Sequence, residues 1–216
     1  TRSTPVGDLV PAETRLRQPL VGQFIPVGEQ VVVGGRNLAA THAPGQFVWL
    51  TLGASPWAMR EHPFSISSAP GVNGALTVTI KALGNFTNQI GAAGVGDVAF
   101  VDGPYGAFSI DRHPAPGYVF VAGGIGIAPI MSFLRAMAAR RDVRPVQVIY
   151  AYRRWERMTF REELEEMRAR LALDLVFVLE EPPAEWAGER GRITDDLLLR
   201  RLPPAPARQA REYFLC

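Results

Sequence analysis

The chain has 216 residues, 47% hydrophobic and 20% charged, a balance that excludes a mainly disordered protein and allows one large domain or two small ones. A net charge of +2 gives no basic footprint for nucleic acid, and 21 glycines and 18 prolines without a period exclude collagen-like and low-complexity classes. The lone Cys216 and the scattered His42, His62 and His113 exclude an internal disulfide and a four-cysteine iron–sulfur or zinc centre, so no metal site is expected, and a reducing compartment fits.

Residues 1–18 have no apolar run and read as a linker or leader rather than a secretory signal. Short β-type runs split by Gly and Pro then extend from Leu20 to about Ile110, so a first domain is expected over 19–112. Strands are expected over Gln30–Val33, Gln46–Leu52, Leu76–Ala82 and Val98–Val101. In the third of these, Leu76, Val78, Ile80 and Ala82 alternate with Thr77, Thr79 and Lys81, the period-two signature of a half-buried strand. Such spacing suggests an antiparallel barrel.

The texture changes at HPAPG, 113–117, where a second domain, 113–216, is expected. The uncharged stretch 113–134 has the length of a membrane span, but three prolines and four glycines break it. It reads instead as a strand (Tyr118–Ala122), a glycine turn and a helix with Pro129 in its first turn. The apolar residues Ile130, Phe133, Leu134 and Met137 give that helix a stripe. A strand over Val146–Tyr152 follows. Thr159-Phe160-Arg161-Glu162 reads as a capping box opening a second helix, with a stripe of Phe160, Leu164, Met167 and Leu171. A strand over Leu175–Leu179, a short helix capped by Thr194 and a last strand, Tyr213–Cys216, complete the pattern. Alternating strands and helices predict a parallel, Rossmann-like sheet.

Four clusters carry chemistry. Gly123-Gly124-Ile125-Gly126 sits between a strand and a helix start, where backbone N–H groups and the helix dipole receive phosphate. His62-Pro63-Phe64-Ser65 is a hydroxyl-rich segment after a strand. Lys81, Gly84, Phe86 and Thr87 combine a cation, a glycine turn and a candidate cap, as a diphosphate cradle requires. Asp102-Gly103-Pro104-Tyr105-Gly106 reads as a tight turn with one aromatic.

In this order, and ending in Tyr213-Phe214-Leu215-Cys216, the clusters resemble the ferredoxin–NADP reductase superfamily. The HPFS form is similar to the dehydrogenase domain of ferric reductases and NADPH oxidases. The resemblance implies an antiparallel flavin-binding β-barrel followed by a Rossmann-like parallel sheet that stops after its fourth strand at Cys216, where the family continues. It implies FAD, with Phe64 against the flavin ring, Ser65 near its N5, and His62 in the place usually held by an arginine that binds the flavin phosphate, Pro63 completing the motif. Lys81, Gly84, Phe86 and Thr87 would hold the pyrophosphate. Gly123, Gly124, Gly126 and Pro129 would line the nicotinamide nucleotide, with Cys216 and Ser65 as the residues nearest the chemistry.

Arg153 and Arg154 follow the strand ending at Tyr152 with no acid beside them until Glu156, which favours NADPH over NADH. The implied activity is hydride transfer from NADPH to FAD, then single electrons to an acceptor. That acceptor would be a haem-bearing membrane domain, placing this segment at the cytosolic face without inserting it, or else a soluble ferric chelate, quinone or iron–sulfur partner. A soluble electron-transfer reductase subunit and a non-catalytic flavin or nucleotide-binding module are the alternatives.

Overall fold

Two kinds of sheet follow from two sequence textures. The computed structural model describes residues 18–21, 30–34, 42–52, 61–71, 75–81, 84, 87, 90 and 98–216. The expectations for residues 1–17 and for Phe86 lie outside them.

In the first half, β1 (Gln18–Val21), β6 (Val98–Tyr105), β3 (Phe47–Leu52) and β4 (His62–Ser65) form one sheet in that order. All its pairings are antiparallel. A second antiparallel pair joins β2 (Gln30–Gly34) to β5 (Ala75–Thr79), and Ile66 bridges to Val78. Val48, Leu50, Ile66, Leu76, Val78, Ile80, Ile90 and Val101 make the core between them. The apolar face expected of residues 76–80 is buried, but Thr79 is buried as well, its hydroxyl donating to Ser67 Oγ at 2.9 Å. The expected turn over residues 102–105 is instead the end of β6. Gly103 (φ +135°) absorbs a register shift opposite Phe47 and Trp49, and the chain turns only at Gly106.

The second half is doubly wound. Strands β7 (Gly117–Gly123), β8 (Val146–Tyr152), β9 (Leu173–Leu179) and β11 (Arg211–Leu215), with the two-residue β10 (Glu189–Arg190), form a parallel sheet. Its order is β10-β9-β8-β7-β11. Helices α1 (Ile127–Ala139) and α2 (Arg161–Met167) cover one face, where Tyr118, Phe120, Tyr150, Phe133 and Phe214 pack together. Helix α3 (Asp195–Arg201) covers the other through Leu197. Thr194 caps α3 as expected, its hydroxyl accepting from Leu197 N–H at 3.3 Å.

One helix start differs from expectation for a tertiary reason. The second helix starts later than the Thr159–Glu162 pattern predicts: α2 begins at Arg161, and Phe160 precedes it in the left-handed region (φ +60°) without a side-chain cap of its own. The Phe160 ring is buried in the core, and that burial outweighs local capping. The expected stripe of α1, Ile130, Phe133, Leu134 and Met137, is buried, and burial extends beyond it. Every residue except Arg135 and Ala139 is buried, because the sheet covers one side and the first-half loops cover the other.

Near the base of the sheet, Arg140 donates to Asp111 Oδ2 at 2.8 Å, and Arg144 pairs with Asp142. Their arginine partners hold both carboxyl groups below the ordinary aspartate value of 3.8. A carboxylate depressed on folding stabilises above its unfolded pKa, and that contribution is lost as pH falls through the folded one. The urea midpoint is therefore expected to stay level down to about pH 5 and drop below about pH 4. Asp142→Asn should lower the plateau and flatten the drop; an unchanged acid limb would remove the two pairs from the account.

Candidate functional site

The glycine turn forms where β7 ends. Gly124–Gly126 make one turn of 3-10 helix, and α1 starts at Ile127 with Gly126 at its N-cap and no side chain capping it. Ile127 N–H donates back to the carbonyls of the 3-10 turn, so what this helix start offers an anion is its dipole and the bare glycine backbone before it. Gly124 adopts φ +55°, and a Cβ on Gly123 or Gly124 would meet nothing within 4 Å, so the backbone is open to a ligand. Gly126 is different: a Cβ there would lie 2.5 Å from the carbonyl carbon and oxygen of Cys216. Only glycine lets the end of β11 come this close. Gly123 N–H donates to Cys216 O and Cys216 N–H to Val121 O, both at 2.9 Å. The Cys216 thiol is exposed at the strand end, and partial desolvation pushes its pKa above the ordinary value. It is a neutral thiol near pH 7. Pro129 is buried in the first turn, so it shapes the turn and offers no surface.

Among the described residues β4 pairs with β3, which places the His62–Ser65 segment at the end of the sheet order. Phe64 is half-buried, packing against the barrel core, while Pro63 is exposed and His62 and Ser65 are half-buried. Gly84 and Thr87 form a local turn: Gly84 N–H donates to Thr87 Oγ1 (2.9 Å), whose hydroxyl returns a bond to Gly84 O (3.1 Å). A Cβ on Gly84 would meet nothing, which leaves the turn approachable, as a diphosphate requires. Lys81 sits between the two halves, its ammonium 5.3 Å from the Tyr152 ring centre.

The reading that Arg153 and Arg154 have no acid beside them is corrected. Glu181, at the tip of the next strand, accepts from Arg153 Nε and from Arg154 Nε, both at 2.6 Å. The two guanidiniums hold its carboxyl below the ordinary glutamate value. The pairing spans 28 residues, and parallel register brings it about: Tyr152 lies opposite Leu179, so the next residues of both strands emerge side by side. The Arg153 side chain is 69% exposed.

Residues that the sequence did not single out join the two halves. Ser132 Oγ, buried on α1, donates to Ser68 O at 2.7 Å and accepts from Gly45 N–H at 3.3 Å. Arg135 reaches Ser67 O at 2.8 Å. The only sequence signal was polarity: a serine and an arginine three positions apart on an otherwise apolar helix.

Comparison with known proteins is consistent with this geometry. Residues 31–109 match the family described as an FAD-binding domain, and residues 120–216 the oxidoreductase NAD-binding domain family. The chain is 35% identical over 163 residues to the stachydrine N-demethylase reductase subunit of Rhizobium meliloti, covering 73% of this chain and 46% of that protein. It is 31% identical over 152 residues to NADH-cytochrome b5 reductase 1 of Aspergillus clavatus, covering 66% and 48%. The chain thus spans about half the length of these relatives. Its fold is similar to that of a ferredoxin NADP+ reductase from Neisseria gonorrhoeae with bound FAD and NADP, at TM-score 0.70 and 20% identity over 87% of this chain and 78% of that one.

Proposed function

The chain belongs to the ferredoxin–NADP reductase superfamily, an FAD-binding domain followed by a NAD-binding domain, and from that premise we propose that it is the flavin-dependent NAD(P)H dehydrogenase part of an electron-transfer system. We assign the FAD-binding unit to residues 19–112 and the nucleotide-binding unit to 113–216. FAD, when bound, would supply the redox chemistry: hydride acceptance from NADPH, with NADP+ as product, and release of single electrons to an acceptor.

The protein's residues bind and orient. Phe64 would offer an aromatic face to the ring and Ser65 a hydroxyl, with His62 and Pro63 beside them on the same strand. Lys81, Gly84, Phe86 and Thr87 would hold the flavin's pyrophosphate. Gly123, Gly124 and Gly126 receive the nucleotide's phosphates at the start of α1, and Cys216 stands beside them as a neutral thiol. The observation that carries this reading is the contact of the Cys216 backbone with Gly126 at an uncapped helix start, with α1 then running directly onto the segment that follows β4. The test is anaerobic addition of NADPH to FAD-loaded protein. Loss of the visible flavin absorbance is expected; persistent colour with both NADPH and NADH would leave a non-catalytic binding module.

The acceptor is a one-electron centre on a partner. The HPFS motif supports a haem-bearing membrane domain, with this chain at its cytosolic face; no helix among the described residues is long and apolar enough to cross a membrane. The likeness to reductase subunits of a demethylase and of a monooxygenase supports a second reading, an oxygenase component. Reduction of haem in a membrane fraction, against reduction of an iron–sulfur protein, separates them.

For the nucleotide, Arg153 and Arg154 favour NADPH, with NADH as the weaker donor. A hydrogen bond to a charged group contributes about 1.5–3 kcal/mol. Glu181 already occupies one face of each guanidinium, which places Arg153→Ala at the low end, about tenfold weaker NADPH binding. NADH, without the 2′-phosphate, should not change. Titration of both nucleotides against both proteins checks this, and equal losses would mean that Arg153 only supports the fold.

A further inference from the structure

Residues at the middle of α1 grip the chain directly after the flavin-motif strand. Ser67 and Ser68 lie two and three residues beyond Ser65, the end of β4. Their carbonyls accept from Arg135 Nη1 (2.8 Å) and Ser132 Oγ (2.7 Å). Their own segment is fixed on its other side by β5: Ser67 N–H donates to Thr77 O at 2.8 Å, and Thr77 N–H donates to Ser68 Oγ at 3.1 Å. The carbonyls therefore cannot follow α1 unless β5 moves too. The same helix begins at the glycine turn. One rigid element thus spans the nucleotide turn and the flavin strand.

Arg135 is itself held in place. Its Nε and Nη2 make paired bonds to both Glu163 oxygens, at 2.7 and 2.6 Å, and its guanidinium lies 5.0 Å from the Phe160 ring centre. Glu163 and Phe160 belong to α2 and its left-handed entry, which follow the Arg153–Arg154 segment in the chain. The fork uses all three of its nitrogens: two on the nucleotide side and one on the flavin side. A guanidinium suits this because its donors are fixed in one plane.

We propose that Arg135 is a positioning residue: clamped by Glu163 and donating to Ser67 O, it sets the separation between the flavin strand and the nucleotide turn. This rests on the dehydrogenase reading for its kinetic consequence, though not for its structural one. Hydride transfer depends steeply on distance, and a shift of about 1 Å at the reacting atoms costs on the order of 100-fold. Arg135 touches neither cofactor seat, so its loss should slow transfer while leaving the binding of each cofactor in place.

The test compares FAD-loaded wild type with Arg135→Ala, Arg135→Lys and Glu163→Gln. Rapid mixing with NADPH is expected to give a flavin reduction rate at saturating nucleotide lower by about tenfold in Arg135→Ala, with FAD content and apparent nucleotide affinity retained. Lysine still reaches Ser67 O but cannot bind both Glu163 oxygens, so it should recover part of the rate. Amide hydrogen exchange provides the second readout: exchange should rise together in residues 62–69 and 124–134 and stay at the wild-type level in β8 and β9.

An unchanged saturating rate at full FAD content overturns the proposal, as does unchanged exchange in 62–69. A general rise in exchange with loss of FAD also overturns it, since Arg135 would then only stabilise the fold. Should Arg135→Ala not fold, Glu163→Gln carries the same comparison, because it removes one acceptor from the clamp and leaves the guanidinium in place. Wild-type protein that neither nucleotide reduces would overturn the dehydrogenase reading alone; the coupled exchange of the two segments stands or falls independently.

Discussion

Replacing Gly45 by alanine is expected to lower folding stability by about 3–5 kcal/mol. Gly45 has φ +86°, a conformation that costs an L-residue roughly 1–2 kcal/mol. Its new Cβ would lie 2.2 Å from Phe108 O and 2.2 Å from Phe133 Cε1. Neither neighbour can yield cheaply. Phe133 is fully buried on α1, between Phe108, Phe120 and Phe214 at ring-centre distances of 5.4, 5.2 and 5.1 Å. The only relief is to separate the 42–46 loop from α1, which breaks the Gly45 N–H bond to Ser132 and loosens the joint between the two halves. In a chain of this length the loss corresponds to a fall in melting temperature of roughly 6–20 °C. Thermal and urea unfolding measure it, with a loss under about 1 kcal/mol showing that the joint gives way at little cost.

Gly126→Ala is expected to act on turnover. The Cβ would come within 2.5 Å of Cys216 backbone atoms, so the end of β11 must move and the Gly123 N–H bond to Cys216 O must stretch. In the proposed dehydrogenase, this displaces the thiol from the nucleotide turn. A misplacement of that size costs on the order of 100-fold in rate. Gly124→Ala is the informative companion: its Cβ meets no protein atom, and its φ of +55° costs only about 1–2 kcal/mol. That Cβ would instead project toward an approaching phosphate, so nucleotide affinity should fall more than the rate of flavin reduction. Anaerobic rapid mixing at varied NADPH separates the two effects. A Gly126→Ala protein that reduces its flavin at the wild-type rate would remove Cys216 from the catalytic geometry.

Local signals found the elements that local forces decide. Period-two alternation in residues 76–82 marked β5, which runs over Ala75–Thr79, and the Thr194 hydroxyl with two aspartates in the following turn marked α3. The glycine cluster at 123–126 marked the strand-to-helix turn, because a tight turn with open backbone demands glycine wherever it occurs. The order of the motifs fixed the pairing of an antiparallel flavin-type barrel with a parallel sheet.

What the sequence could not settle were competitions between local preference and distant partners. Thr159 to Glu162 has the spelling of a capping box, but Phe160 is claimed by the core and the helix starts after it. Residues 102–105 have the spelling of a turn, but β3 pairs along them and extends β6. The sequence by itself determined the elements, their order and the chemical character of each candidate cluster, since these depend on neighbours within a few residues. The tertiary structure alone decided that Glu181 stands between Arg153 and Arg154, that Gly45 must be bare beside Phe133, and that Arg135 ties α1 to Ser67, 68 residues away. Those contacts follow from strand register and helix packing, which are set by burial summed over the whole chain and leave no mark within any single segment.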